Sequence, residues 1–336
     1  MLGTSSKSSD RVRRSWQGTL PDHVVSLAWS PDGKQLAAAA STGPITIFDG
    51  SGAITHTLPG HADGTFEVQW HGSTLVSVGQ DGHLRGWANG VQTYEAAAGA
   101  PWVEHLAVNA KHVACAAGKT VRVFDATGTL VYELPKFSHT VSDLAWYGDI
   151  LAVGVYGGVT LANPGANTII NHLAYKGSPL KLAWAPKGQW LAHGNQDASM
   201  TVWLMKDSIP FQMSGYATKV RELAWDMSGR YLATGGADTI SLWDCSGNGP
   251  AGTTPLMLEA HKKPITDLKY QHRGQLLASC SKEGLVCAWQ PLNKKGALIG
   301  HEKNTGVEAT TMMWSPDDKK LAVGFADGTV LVLKVT

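Results

Sequence analysis

The hydrophobic and polar positions of this 336-residue chain recur with a period of about 41 residues. An apolar segment that ends in a large side chain, such as VVSLAW at Trp29, returns until there are eight copies. The anchors of these copies are Trp29, Trp70, Val108, Trp146, Trp184, Trp225, Tyr270 and Trp314. A repeat of this length is typical of a unit that contains four short strands.

Each anchor is followed by the same order of turns and strands. A turn rich in Pro, Asp or Gly, such as residues 30–33, precedes a short apolar strand, such as the one that begins at Leu36. A tight hairpin then leads to a third apolar strand, and a more polar fourth strand closes most units. Small apolar residues occupy successive positions of many second strands, which favours sheets that are buried on both faces. The pattern predicts an all-β fold in which four-stranded sheets pack around a ring, a β-propeller.

The strand count predicts how this ring closes. The eighth unit reaches Thr336 directly after its third strand, whereas residues 14–20 precede the first unit and have the pattern of a fourth strand. We therefore expect the N-terminal strand to complete the last blade, which removes a long unpaired edge. The prediction is a single closed propeller of eight four-stranded blades over residues 12–336, with seven blades as the alternative. Residues 1–11 are predicted to be a flexible N-terminal tail.

Composition and charge narrow the classes of function. The formal net charge is +1, without the basic excess of a nucleic-acid-binding protein. No apolar run approaches the ~18 residues of a membrane span, and the N-terminus lacks the apolar core of a signal peptide. The cysteines lack zinc-ribbon spacing and are too scattered for a disulfide scaffold: Cys115, Cys245, Cys280 and Cys287. We expect a cytoplasmic protein without nucleic-acid or membrane partners.

The motifs within the repeats resemble those of the WD-repeat family, and the resemblance covers about residues 12–336. The second unit carries His61, Ser77, Asp81 and Trp87 where that family places a hydrogen-bonded structural tetrad. The seventh unit has the corresponding residues His261, Ser279, Glu283 and Trp289. The fifth and sixth units keep part of the set: Asp197, Trp203, Thr234, Asp238 and Trp243, with His193 at the serine position. The resemblance implies that these residues brace the blades.

The same histidine, aspartate and serine residues could also be interpreted as catalytic. His61, Asp81 and Ser77 include the residue types of a hydrolase triad, but the tetrad explains them together with Trp87, and Ser77 is expected inside a strand. The other inner-loop histidines are expected at the same point of the repeat as a ring brace: His23, His139, His261 and His301. No catalytic residue, metal site or cofactor is predicted.

Acidic residues on the predicted inner strands keep a second function open. These are Glu67, Glu104, Asp143, Glu222 and Asp267. They are expected either to line one rim of the central channel, where a metal ion or small ligand could bind and a hydrolase could act, or to pair with Lys181, Lys219 and Arg221. The alternative prediction is therefore a propeller that binds a metal ion or small ligand in its channel, with a hydrolase as one form of this function.

The seventh hairpin gives a prediction of strand register. If Ser279 lies opposite Trp289, Cys280 opposes Ala288 and Cys287 opposes Ser281. The two cysteines would then lie on opposite faces of the sheet, which excludes a disulfide between them.

The favoured function is a non-catalytic scaffold for protein–protein interactions, which is also what the resemblance implies. We expect a monomeric propeller that serves as a subunit or adaptor in a larger complex. In the family that the chain resembles, contacts usually come from the start of the inner strands and from beside the hairpin Asp. The resemblance therefore implies these candidate contact residues: Trp102, Glu104, Tyr156, Gln196, Lys219, Arg221, Lys263 and Lys282. Trp102 stands out because exposed aromatic side chains dominate binding hot spots, and packing between blades is the alternative role for this side chain.

Overall fold

The computed structural model of the chain describes residues 11–247, 249–292, 296–304 and 306–336. Strand β1 spans Val12–Thr19. The next strands form blade 1, β2 (Val24–Trp29), β3 (Gln35–Ala40), β4 (Ile45–Asp49) and β5 (Ile54–Leu58), and blade 2, β6 (Thr65–His71), β7 (Thr74–Gly79), β8 (His83–Ala88) and β9 (Val91–Ala97). Blade 3 contains β10 (Val103–Val108), β11 (Val113–Ala117), β12 (Thr120–Phe124) and β13 (Leu130–Glu133). Blade 4 contains β14 (Val141–Tyr147), β15 (Ile150–Val155), β16 (Gly158–Asn163) and β17 (Thr168–Ala174).

The second half of the chain repeats this arrangement. Blade 5 contains β18 (Pro179–Trp184), β19 (Trp190–Asn195), β20 (Ser199–Leu204) and β21 (Ile209–Ser214). Blade 6 contains β22 (Leu223–Trp225), β23 (Tyr231–Thr234), β24 (Thr239–Asp244) and β25 (Leu256–Glu259). Blade 7 contains β26 (Ile265–Tyr270), β27 (Leu277–Ser281), β28 (Leu285–Gln290) and β29 (Ala297–Lys303), and blade 8 contains β30 (Ala309–Trp314), β31 (Lys320–Phe325) and β32 (Thr329–Val335). Within the described ranges, no helix is long and apolar enough to cross a bilayer.

The eight sheets form a closed ring, as the sequence predicts. Every sheet is antiparallel and has four strands. The inner strand of each blade contacts the inner strands of the blades on either side, and β30 contacts β2 to complete the circle. The eight-blade prediction is confirmed, and the alternative of seven is wrong.

The N-terminal strand completes the last blade. Strand β1 pairs with β32 from Val12 opposite Val335 to Thr19 opposite Thr329. Arg14 also reaches the neighbouring blade, where its Nη2 lies 2.8 Å from Glu302 Oε1. This closure is confirmed. Residues 1–10 of the predicted tail lie outside the described residues, and the division at residue 12 stays a prediction.

The hydrophobic core is divided among the spaces between blades. One cluster joins blades 8 and 1 through Val24, Phe48, Val330 and Val332, all of which are almost fully buried. The small side chains of β3 are buried on both faces of the sheet. Because the blades pack face to face, the space beside their inner strands fits only small side chains. This explains why apolar residues occupy successive positions of these strands and do not alternate with polar ones.

The repeated tryptophans hold adjacent blades together. In six blades the indole Nε1 of the anchor donates to a main-chain carbonyl of the preceding blade over 2.9–3.2 Å. The pairs are Trp29 with Met313, Trp70 with Ala28, Trp146 with Ala107, Trp184 with Ala145, Trp225 with Ala183, and Trp314 with Lys269. The apolar repeat therefore also supplies directional bonds between the sheets.

The predicted register of the seventh hairpin is wrong by two residues. Ser279 lies opposite Cys287, and Cys280 lies opposite Val286. The indole of Trp289 still reaches Ser279, because a long side chain can span the diagonal between strands. Both cysteines are free and buried, and they belong to hydrophobic clusters on opposite faces of the sheet.

Candidate interaction surface and the polar network beneath it

Blade 2 contains a hydrogen-bonded set of four side chains. Ser77 Oγ lies 2.8 Å from His61 Nε2, and it accepts a bond from Trp87 Nε1 at 2.8 Å. Nδ1 of His61 lies 2.8 Å from Asp81 Oδ1. Because Ser77 and His61 are buried, the serine hydroxyl is closed to a substrate. The geometry ties the hairpin of blade 2 to the loop that enters its inner strand.

The negative charge of Asp81 in this set is compensated by the positive charge of Arg85. Burial lowers the pKa of His61, against the effect of Asp81. Burial alone would raise the pKa of Asp81, but hydrogen bonds from His61 and Arg85 bring it down to about 2. Arg85 Nη1 lies 2.6 Å from Asp81 Oδ2. A neutral histidine and an ionised aspartate are therefore the stable forms near neutral pH.

Blade 7 reproduces this network in part. Ser279 Oγ lies 2.6 Å from His261 Nε2 and accepts from Trp289 Nε1 at 2.8 Å. Glu283 Oε1 instead accepts from the main-chain N–H of Lys262 at 2.6 Å. The Nδ1 atom of His261 is buried without a hydrogen-bond partner. In blade 2, Asp81 accepts both from His61 and from the main-chain N–H of Ala62, the latter at 3.2 Å, so the longer glutamate keeps only the main-chain bond.

A ring of eight equivalent side chains lies in the central channel, a cavity of about 800 Å³. One comes from the inner strand of each successive blade or the residue just before it: Ser26, Glu67, His105, Asp143, Lys181, Glu222, Asp267 and Thr311. In seven blades the pairing between the inner strand and the second strand shifts by one residue just before this position, so that the inner strand contains one extra residue. The extra residue aims the following side chain at the channel.

Most of the channel carboxylates have partners within the protein. Three of them accept a main-chain N–H of the next blade: Leu106 N to Glu67 Oε2 at 3.0 Å, Leu182 N to Asp143 Oδ2 at 2.7 Å, and Met312 N to Asp267 Oδ2 at 2.9 Å. Lys181 Nζ lies 3.0 Å from Asp143 Oδ1, and this carboxylate raises the pKa of the lysine. Over the described ranges, no cluster of three or more His, Cys, Asp or Glu residues is arranged to hold a metal ion. The ring therefore joins neighbouring blades.

Glu104 does not belong to this ring. It occupies the extra residue of the register shift in blade 3, and His105 takes the channel position. Glu104 is exposed at the mouth of the channel. Its grouping with the four other predicted channel acids is wrong, because the bulge moves it by one position.

All eight predicted contact residues are exposed on one face. This upper face carries the loops that enter the inner strands and the hairpins between the second and third strands. The side chain of Trp102 is 58% exposed, and its ring meets Phe66 edge-on at a centroid distance of 6.4 Å. Tyr156 is 55% exposed and packs against His139 at 4.9 Å. Each of the two aromatic side chains thus contacts a neighbouring ring and is open to solvent.

Two depressions lie between these residues on the upper face. Glu104, Tyr156, Gln196 and Arg221 border one of about 730 Å³. Lys219, Arg221 and Lys282 border the other, of about 470 Å³. Lys282 Nζ lies 3.5 Å from Glu308 Oε1. Arg221 stands between the two depressions and the channel mouth.

Comparisons with known proteins agree with this architecture. The sequence model of the WD domain, G-beta repeat, matches residues 209–244, 252–290 and 292–332, and that of the anaphase-promoting complex subunit 4 WD40 domain matches residues 8–73. The chain is a WD-repeat β-propeller. The solved structure of Chaetomium thermophilum Sqt1 superimposes on this WD-repeat propeller with a TM-score of 0.81 at 19% identity, covering 94% of this chain and 95% of that one. The designed Ika8 protein does so with a TM-score of 0.82 at 21% identity, covering 94% and 98%.

Curated relatives of this WD-repeat propeller match over a shorter stretch. Eukaryotic translation initiation factor 3 subunit I of Vanderwaltozyma polyspora is 34% identical over 87 residues, which is 24% of this chain and 23% of the relative. The subunit I of Schizosaccharomyces pombe is 33% identical over 81 residues, or 23% of each chain. The chain therefore spans less than a quarter of the length of these relatives.

Tyrosines take the histidine position in two blades of the WD-repeat propeller. Like His61, Tyr175 and Tyr216 stand four residues before the position that opens the inner-strand repeat. In blade 6, the Tyr216 hydroxyl accepts from Trp243 Nε1 at 2.8 Å and lies 2.8 Å from Thr234 Oγ1. The fixed offset of four residues is a signal from which sequence reasoning can find both tyrosines.

The histidines expected at this position are mostly elsewhere. Only His261 shares the offset of His61. His23 and His139 stand one and two residues before their inner strands, and His301 lies in the outer strand β29. The prediction that all four recur at the same point of the repeat is wrong, because loop lengths differ between blades.

Proposed function

We propose that this WD-repeat propeller is a non-catalytic scaffold that binds a protein partner through its upper face. In this role it is a cytoplasmic subunit or adaptor of a larger complex, monomeric as a propeller and free of cofactors. The observation that carries the proposal is the pair of exposed aromatic side chains, Trp102 and Tyr156, held on a braced frame beside the upper-face depressions. Rigid aromatic anchors bind at a low cost in conformational entropy.

The relatives and the channel also support this role. Subunit I of eukaryotic translation initiation factor 3 is by its name part of an assembly. Three of the four channel carboxylates, Glu67, Asp143 and Asp267, bond to main-chain groups of neighbouring blades, so they are already engaged by the protein. These contacts favour a scaffold over a channel enzyme.

Affinity capture with the purified chain tests the proposal. We expect the Trp102→Ala, Arg221→Ala double variant to lose a partner that the wild-type chain retains from extracts of its source cell, with an unchanged Tm. Ile54→Ala, on the opposite end of a blade, is the control and should retain it. Undiminished capture by the double variant would move the binding surface elsewhere, and a large fall in Tm would show that the two side chains support the fold.

A further inference from the structure

The exposed aliphatic side chains are concentrated away from the upper face. Among the described residues, ten of the twelve large exposed hydrophobic side chains lie at the opposite ends of the blades: Ile54, Val91, Leu130, Val131, Ile169, Ile170, Ile209, Met227, Met257 and Leu292. Most of them stand at the start of an outer strand. Blade 4 contributes two adjacent residues, Ile169 and Ile170, which are 45% and 51% exposed.

These two isoleucines belong to an open sheet edge. Strand β17 is the outermost strand of blade 4, so one side of its backbone is unpaired within the sheet. Six of its seven residues are exposed. Neighbouring blades hold the strand at two points. The 3-10 turn Pro164–Ala166 just before it contacts β13, and Asn171 Nδ2 in its middle donates to Ser208 Oγ of blade 5 at 3.1 Å. The edge is therefore preorganised in an extended form.

Blade 4 is also free of charge over a long stretch. The 26 residues from Ile150 to Tyr175 contain no Asp, Glu, Lys or Arg, although the chain average of 16% charged residues predicts about four. Six of the other outer strands contain a charged residue or a proline. Strand β5 contains neither, but it is two residues shorter and is followed by Pro59. Charges and prolines normally protect an exposed edge from pairing, and β17 lacks both.

We propose that the outer edge of β17 is a docking site for an extended, uncharged segment of a partner protein, which adds to blade 4 as a fifth strand. Main-chain bonds to β17 would supply affinity, and aliphatic side chains of the segment would cover Ile169 and Ile170. The proposal rests on the scaffold function and adds a second surface to it. Ile170 is the extra residue of a bulge, so residues 171–174 form the regular part of the strand, where the added segment would replace the Asn171 side chain as the acceptor of the His172 main-chain N–H.

The shape of the disc favours a peptide segment over a second copy of the chain. A stable interface between two folded proteins buries about 1,200–2,000 Å². Two convex rims that meet through single seven-residue strands leave the neighbouring outer strands apart. A flexible segment can follow one strand without this restriction. The absence of charge on β17 matches an uncharged segment.

Fluorescence anisotropy with a labelled acetyl-TVTITVT-amide peptide tests this site in the full-length protein. We expect saturable binding that Ile170→Lys weakens by about tenfold or more, since a lysine on a sheet edge opposes strand addition. Ile54→Lys, the matched change in blade 1, should leave binding unchanged. A peptide that is N-methylated at alternate residues should not bind, and hydrogen exchange of β17 should slow only with the parent peptide.

Several outcomes would overturn the site. These are no saturable binding, equal binding by Ile170→Lys in a protein with wild-type Tm, or a wild-type dimer in light scattering that Ile170→Lys dissociates, since a second copy would then occupy the edge. The Trp102→Ala, Arg221→Ala variant should bind the peptide normally. An experiment that contradicts partner binding at the upper face can therefore be distinguished from one that contradicts peptide binding at the β17 edge.

Discussion

The indole N–H of Trp29 donates to the main-chain carbonyl of Met313 over 3.1 Å. The first blade is thereby joined to the last by the same bond that joins five other neighbouring pairs. The join between the chain's two ends is thus built like the joins inside the repeat. Two anchor positions, Val108 and Tyr270, carry no indole and depart from this pattern.

Two partly buried tyrosines should respond in opposite directions to loss of the hydroxyl. The hydroxyl of Tyr270 is buried without a hydrogen-bond partner, whereas that of Tyr216 bonds to Trp243 and Thr234. We expect Tyr270→Phe to raise the free energy of unfolding by about 1 kcal/mol or more, and Tyr216→Phe to lower it by about 1–3 kcal/mol. Urea unfolding of both variants measures this. Destabilisation by Tyr270→Phe would show that the hydroxyl has a partner, such as water.

A matched pair of tryptophans isolates the contribution of the blade 2 network. Trp87 Nε1 donates to Ser77, while Trp203 Nε1 in blade 5 is buried without a partner. Trp87→Phe and Trp203→Phe remove the same volume, but only the first breaks a hydrogen bond. We expect Trp87→Phe to cost about 1–2 kcal/mol more, measured as a difference in unfolding free energy. Equal losses would mean that packing alone matters at both sites.

The stability of the propeller should depend on the ionisation of Glu222. Burial raises the pKa of its carboxyl to about 6, above the value of about 4.3 in an unfolded chain. The folded state therefore disfavours the charged form, and stability falls by up to about 2 kcal/mol as pH rises from 4 to 7. We expect Glu222→Gln to stabilise the protein at pH 7 and to have little effect at pH 4, which thermal unfolding across this range can measure.

Asp143 provides the control for this pH effect. Its carboxylate bonds to Lys181 and to the main-chain N–H of Leu182. Asp143→Asn should therefore destabilise the protein by about 1–3 kcal/mol at pH 7. If Glu222→Gln destabilised the protein to the same degree, Glu222 would also serve as a bond between blades.

Truncation should separate the predicted tail from the closing strand. Removal of residues 1–11 should leave the Tm almost unchanged, because all eight sheets lie within residues 12–336 and the bond from Thr336 N–H to the Arg11 carbonyl lies at the very end of the β1–β32 pair. Removal of residues 1–19 should lower stability by about 3 kcal/mol or more, since each lost ladder bond contributes about 0.5–1.5 kcal/mol. It also exposes the edge of β32, so light scattering should detect self-association. A Tm shift in the shorter truncation would place the domain boundary before residue 12.

The sequence predicts the repeat, the blade number and the closure because each depends on a pattern that is copied eight times. The side chains that depart from the copy are harder to predict. Tyr216 replaces a histidine with a different functional group, and only its distance from the inner strand reveals its role. The pairing of Ser279 is harder to predict because the Trp289 side chain reaches it diagonally across the strands. The position of Glu104 outside the channel depends on a bulge. Neither feature can be read from the residue types.

The pairing of Val12 with Val335 places the first and last strands side by side. A short linker between them would turn the chain into a covalent circle, which can be reopened at any of the eight turns that join one blade to the next. Such rearranged chains would each build every blade from one continuous piece. They would allow a fused domain to be positioned at a chosen angle around the disc.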